Sequence, residues 1–371
     1  MQNDKLLYKI ALSQIDKIGT ILAKNLVSYC GGVEEIFSKS VGELIKIPGI
    51  SETLAKRIQN KEVLIKAEKI IIENEKNAVN TLFYLDENYP SRLKNFNDSP
   101  IILYTQGTNE YNNKRTLAIV GTRHATSLGK YYTEKLIEEL LPYEVTIVSG
   151  LAFGIDATAH KSALELGVPN IAVMGSGINI TYPAEHKRIR DRIVVKGDVM
   201  SEFELDKSPE RGHFPMRNRI IAQLSDAMLV VESDIKGGAM ITAKLAFDYN
   251  KDVFALPGRV DDQYSRGPNW LIKSNIASLI DSATDICKAM NWEMASESKP
   301  LQMELFSNLS KNEEKILELI SNSPDKSMHI DEVHYNSGMT LSEISGILLE
   351  LELKSVIENL PGSRYGIRPG R

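Results

Sequence analysis

At 371 residues the chain is too long for one ordinary core, and a domain size of about 150 residues implies two or three units. A formal charge of −5 excludes a bulk polycation that coats nucleic acid, so any anion site must be a local patch. Cys30 and Cys287 form no metal-ligand spacing, the start MQNDKLLYKIALSQI lacks a signal-peptide pattern, and no run of about 18 apolar residues occurs, so a reduced cytoplasmic location without membrane contact is expected.

Residues 1–80 read as helices joined by short turns, with two similar marks, IDKIGTILAKNLV from Ile15 and IKIPGISETLAKRI from Ile45. Each has an apolar residue, a glycine and a polar helix start, the pattern of a helix-hairpin-helix. The backbone N–H groups of such turns can meet a phosphate, or Gly19 and Gly49 can simply permit tight turns between packed helices.

Residues 81–290 read as one α/β unit. Within it, 81–111 is a connector with one or two strands that docks on the rest of the unit. Over 112–290, apolar runs at Thr116–Val120, Val145–Val148, Asn170–Met174, Val199–Phe203, Ala227–Val231 and Val253–Leu256 alternate with helical patterns, which implies a mostly parallel sheet. Several runs end in glycine or a small polar residue: Gly121 with Thr122 and Arg123, Ser149 with Gly150, and Gly175. In an open parallel sheet these ends line one crevice. Asp156 is expected to cap the helix after Gly154, and His160 to pack within it. Leu279, Ile280 and Ile286 are expected in the core.

The stretch RGHFPMRNRIIAQLSDAMLVV, Arg211 to Val231, places Arg211, Arg217 and Arg219 together with no acid between them. Phe214 and Pro215 read as an extended display loop, with a helix from Met216. Arginines at a helix start oppose its dipole unless an anion joins them, or unless they pair with Glu202, Glu204, Asp206 or Glu210 upstream. Arg123, Arg211, Arg217 and Lys244, the last on the helix after Gly237 and Gly238, are therefore expected to rim a glycine-floored groove, with Asn218 beside them.

Residues 291–310 read as a polar linker, and 311–371 as three short helices and a hairpin, a winged helix. Its third helix, TLSEISGILLELEL, offers Glu343, Glu350 and Glu352 and no base before Lys354, so it suits protein contact better than base reading; Arg364, Arg368 and Arg371 could touch a backbone.

Bond-breaking chemistry finds little footing. No P-loop, dinucleotide fingerprint, H-E-x-x-H, acidic triad or G-x-S-x-G elbow is present, so no catalytic residue, metal or cofactor is expected. A cationic crevice with an aromatic suits a flexible single strand, whose backbone the guanidinium groups hold while Phe214 stacks on a base.

In order, AIVGTRHAT at 118–126, SGLAFGIDATAHK at 149–161, AVMGSGINITYPAEH at 172–186, SEF at 201–203, FPMRNRIIAQLSDAMLVVES at 214–233, GGAMITAKLA at 237–246, FALPG at 254–258 and GPNWLIK at 267–273 resemble the signature blocks of the DNA-processing protein A family, DprA, also called Smf. The resemblance implies an extended Rossmann-like fold, single-stranded DNA binding, a homodimer, and loading of the recombinase RecA during natural transformation. It implies DNA contacts by Arg123, Arg211 and Phe214; the contact by Arg217 is an inference from the same block. The competing readings are an enzyme acting on nucleotides, which GGAMITAK disfavours by lacking a glutamate, and a protein-binding scaffold.

Overall fold

A computed structural model of the chain describes residues 2–294, 310–323, 326–354, 356–360 and 362–367. Most of the expected linker, and the expected backbone contacts Arg368 and Arg371, lie outside the described residues. The chain divides into two compact units, Met1–Met294 and Ala295–Arg371.

The first unit opens with six helices between Gln2 and Lys76. Both expected hairpins form. The second turns at Gly49, whose φ of +87° is in the left-handed region, and its helix Glu52–Ile58 is capped by Ser51, which accepts from the Leu54 N–H. In the first hairpin Lys17, not Gly19, takes the left-handed conformation. Ile10, Leu26, Ile36, Leu44 and Ile58 are buried in a core that continues without a break into Phe83, Ile102 and Tyr104 of the following hairpin.

The sheet has nine strands: β1 Asn80–Phe83, β2 Ile102–Gly107, β3 Arg115–Val120, β4 Val145–Ser149, β5 Asn170–Val173, β6 Asp198–Ser201, β7 Ala227–Val230, β8 Asp252–Ala255 and β9 Ser278–Leu279. Their order is β1-β2-β6-β5-β4-β3-β7-β8-β9. All neighbours are parallel except β1 with β2 and β2 with β6. The expected connector thus becomes an antiparallel edge of the main sheet. β9 was not legible: it is two residues long, and Leu279, expected in the core, is 54 % exposed on it, whereas Ile280 and Ile286 are buried.

Alternation explains the unbroken apolar runs. Leu117, Ile119, Ile147 and Leu229 enter the cluster on one face of the sheet, while Ala118, Val120, Val148 and Val230 enter the other. Each fully buried large aliphatic side chain contributes about 1.5–3 kcal/mol, so the central strands hold the molecule's rigid middle. The strand order reverses between β4-β3 and β3-β7, and a crevice opens beyond the carboxyl ends there.

The second unit is a winged helix. Helices Lys311–Ser321, Ile330–Ser337 and Leu341–Leu353 enclose Ile316, Ile320, Val333, Ile344, Leu348 and Leu351, closed by a small sheet of Ser327–His329, Arg364–Ile367 and Ile357–Leu360. Its three described helices each begin with a capping box, Ser310 with Glu313, His329 with Glu332 and Thr340 with Glu343.

Candidate nucleic-acid interface

The turn after β3 is fixed from three sides. Thr122 N donates to the Glu232 carbonyl at 2.6 Å, Ile155 N donates to the Thr122 carbonyl at 3.2 Å, and Thr126 donates through N and Oγ1 to the buried Glu232 carboxylate. Gly121 has no room for a side chain, since a Cβ there would lie 2.4 Å from Ile155. Gly154, at φ +75°, lies so close that a Cβ would sit 2.1 Å from the Thr122 carbonyl. These contacts push Arg123 outward, exposed, as the tip of the turn.

The turn after β4 is built differently. Leu151 is buried at φ +56°, a left-handed conformation that costs a branched residue about 1–3 kcal/mol. Two histidines hold it. Its N–H donates to His160 Nε2 at 3.3 Å, and its carbonyl contacts His186 Nδ1 at 2.8 Å. His160 also meets the Asn170 side-chain oxygen through Nδ1 at 2.6 Å, so the ring is neutral with its proton on Nδ1. Burial pushes its pKa down to about 4. The expected packing role of His160 therefore has a definite content: it clamps a strained turn. Asp156 is not the expected cap. It sits inside the first turn of helix Ile155–Leu166 and accepts from the N–H groups of Gly150 and Ala152. Desolvation raises its pKa, and the Arg217 guanidinium opposes that rise.

The expected display loop at Phe214 is a helix. Helix His213–Leu224 takes Phe214 and Pro215 into its first turn, where a missing N–H costs no intrahelical bond. The arginines of this stretch then separate. Arg217, expected on the rim, is only 5 % exposed and donates through Nη1 to the carbonyls of Gly150 and Val173. Burial lowers its pKa to about 10, against the pull of Asp156. Arg219 donates to the Asp98 carbonyl and pairs with Glu202, one of the upstream acids expected as partners. Arg211 is exposed in the turn before the helix, and among the described residues no carboxylate pairs with it.

What remains on the surface is an aromatic and cationic cluster. The Arg123 guanidinium lies 5.5 Å from the centre of the Phe214 ring, and Tyr182 flanks the same ring at 5.6 Å. Phe153 stands in the same recess, edge-on to His186. Phe153 and Tyr182 are 43 % and 47 % exposed, a large apolar area to leave in water. Neither was singled out from the sequence, although both lie in turns after strands, in GLAFG and NITYP. Sharing Arg123 and Phe214 with that recess, a cavity of about 450 Å³ opens at the β3–β7 reversal, bordered also by Asn218, Lys236 and Tyr264.

The expected glycines and serine act from within. A Cβ on Gly150 would lie 2.6 Å from the Arg217 guanidinium, and one on Gly175 would lie 3.1 Å from the Phe214 ring. Ser149 is fully buried and donates to the Ile119 carbonyl at 2.6 Å. Asn218 lines the cavity and accepts from Arg217 Nε at 3.1 Å. Lys244 stands apart, exposed on helix Gly238–Asp248 with its ammonium 5.0 Å from the Trp270 ring. The structure thus brings together Gly121, Thr122, Arg123, Phe214, Arg217 and Asn218 around the cavity, with Gly121 and Arg217 also part of the frame, assigns Ser149, Gly150 and Gly175 to the frame alone, and leaves Arg211 and Lys244 outside the cavity lining.

Two outcomes are expected from this frame. Arg217→Met should lower the unfolding free energy by about 3–5 kcal/mol in urea denaturation, because it leaves two buried carbonyls without their donor and buried Asp156 without its compensating charge, whereas Arg123→Ala should stay within about 0.5 kcal/mol of the parent. Because the folded state depresses the His160 pKa below the ordinary 6.5, its contribution is present above pH 6.5 and fades as the pH falls toward 4. The full effect is about 3 kcal/mol. His160→Gln should flatten that part of the stability curve; curves that stay parallel across this window would disprove the clamp.

Comparison with known proteins places this architecture. Residues 80–291 match the family model for DNA recombination-mediator protein A, residues 304–363 the DprA winged helix domain, and residues 9–61 the SAM-like helix-hairpin-helix tandem. Protein Smf of Synechocystis sp. is 30 % identical over 399 residues, covering 98 % of this chain and 99 % of its own. DNA processing protein DprA of Streptococcus pneumoniae is 39 % identical over 202 residues, 54 % of this chain and 71 % of its own. Among solved structures, DNA processing protein A of Streptococcus pneumoniae superposes with a TM-score of 0.68 at 31 % identity, covering 78 % of this chain and 98 % of that one. DNA processing protein A of Helicobacter pylori, whose structure concerns its single-stranded DNA binding mode, gives 0.53 at 32 % identity, covering 58 % and 97 %. With its parallel sheet, its helix-hairpin-helix start and its winged helix matched in order, the chain belongs to the DNA recombination-mediator protein A family.

Proposed function

We propose that this chain binds single-stranded DNA in the crevice at the carboxyl ends of β3, β4 and β7 and breaks no bond in it. It acts in the cytoplasm as a homodimer that protects incoming strands and hands them to RecA during natural transformation. One observation carries the DNA reading: Tyr182 and Arg123 both stand against the Phe214 ring, with nearly half of the Tyr182 surface in water. Bases of any identity can stack on such a platform while the guanidinium meets phosphate, and each stacking is worth about 1–3 kcal/mol. The single-stranded DNA binding mode of the Helicobacter pylori relative supports the same ligand. A non-catalytic role agrees with the use of two titratable groups behind the crevice, since Asp156 and His160 are buried and spent on backbone hydrogen bonds. Among the described residues, no helix is long and apolar enough to cross a membrane.

Titration with oligothymidine tests this. Phe214→Ala should weaken binding about 5- to 150-fold, the equivalent of one lost stacking contact. Arg123→Ala with Arg211→Ala should reduce both affinity and its salt dependence, the latter by about 0.7 in log–log slope for each lost phosphate contact. Unchanged binding by the arginine double variant would rule the crevice out. RecA filament assembly on the bound strand, and sedimentation of the free protein, check the handover and the homodimer.

A further inference from the structure

We propose that the outward face of helix Lys187–Lys196 continues the strand's path, with Arg188, Arg192 and Lys196 receiving phosphates of nucleotides beyond those held in the crevice. This rests on the single-stranded DNA reading above and extends it to a second surface.

The helix is two-sided. Ile189 and Ile193 are buried against the sheet, and Arg190 turns inward to the side chain of Gln106 and the carbonyl of Ile178. Lys187, Arg188, Arg192 and Lys196 are exposed. Asp191, the one acid on the helix, is engaged by Arg190 at 3.0 Å. Arg188, Arg192 and Lys196 are spaced four residues apart and therefore form a single ridge, about 12 Å long at the helical rise. Among the described residues, no carboxylate lies within ion-pair distance of any of the three. Like charges four apart repel one another, and Lys187 and Arg188 stand at the helix start with no acid in the first turn, where cations oppose the dipole. Lys196, in the last turn, suits the dipole, but the mutual repulsion along the row and the cations at the helix start both disfavour the helix, and a polyanion laid along the row relieves them.

Its position links it to the crevice. The helix is preceded directly by His186, whose ring stands edge-on to Phe153 at 4.9 Å and whose Nδ1 contacts the Leu151 carbonyl at 2.8 Å. Tyr182 and Pro183, a few residues upstream, line the recess that holds Phe214. Arg188 thus follows the aromatic platform by a few residues of chain, and a strand leaving past Tyr182 would reach the start of the ridge first. A flexible single strand can follow both surfaces, which favours it over a duplex.

The test compares the parent with Arg188→Ser/Arg192→Ser/Lys196→Ser, using a short oligothymidine at the low end of the roughly 4–16 nucleotide range of single-strand sites and one longer than that range. The variant should bind the short strand as the parent does. It should lose the affinity that the parent gains with length, and its salt slope on the long strand should fall by about 2, from three lost contacts at about 0.7 each. Its melting temperature should equal or exceed the parent's; if the serines disturb folding, Arg188→Gln/Arg192→Gln keeps helix propensity and serves instead. Unchanged binding of the long strand overturns the proposal, as does equal loss on short and long strands. Loss confined to an oligonucleotide with a duplex tail also overturns it and marks a duplex contact instead. Arg123→Ala, run alongside, should weaken both lengths. If it does not, the crevice reading fails while the ridge is judged on its own data.

Discussion

The interface depends on a buried cation. Arg217 reaches from helix His213–Leu224 to the carbonyls that end β4 and β5, beside the carboxylate of Asp156. Taking a guanidinium out of water is costly, and the cost is met because two carbonyls accept from it and the charge of Asp156 lies close by. The planar fork of arginine, charged at any physiological pH, suits two acceptors at a fixed angle better than a lysine ammonium does. Gly150 belongs to the same arrangement, because a side chain there would occupy the place of the guanidinium. Helix and strand ends are thereby locked together, and Phe214, three residues before Arg217, is held where Gly175 leaves room for its ring.

This frame explains how a chain of net charge −5 can present a local anion site. Cations are sorted by depth. Arg217 and Arg219 are neutralised inside, and Arg123 and Arg211 stay outside with no carboxylate partner among the described residues. Long-range repulsion of DNA by the acidic majority is screened beyond about 8–10 Å at ordinary ionic strength, whereas a guanidinium at contact distance is not. The winged helix fits the same division. Its third helix carries Glu343, Glu350 and Glu352, and Glu343 is committed to a capping box. Three carboxylates on one short helix disfavour a phosphate backbone along it.

The turns around the crevice show rigidity achieved by strain held in place. Leu151 adopts a left-handed backbone that only its surroundings enforce, through His160, His186 and the loop-closing Asp156. Pre-organised turns spare a ligand the ordering cost of loop residues, which is how a shallow site without enclosing walls gains affinity. The same commitment of Asp156 and His160 to backbone groups leaves them poorly suited to proton transfer.

The fold was largely legible in the sequence. A parallel strand buried on both faces is apolar along most of its length, so β3 to β8 stood out as runs, and the glycines at their ends marked a crevice. The winged helix and the two hairpins showed in helical periodicity and turn residues, which are local properties. The antiparallel edge of β1 and β2 and the short β9 were less legible, because edge pairing depends on what lies alongside. Of the site, the sequence determined the ingredients: Arg123, Phe214 and a cluster of arginines near one strand. Only the tertiary structure decided which arginine faces water. Burial and hydrogen bonding are set by distant partners, Gly150 and Val173 for Arg217 and Glu202 and Asp98 for Arg219, and no local pattern encodes them.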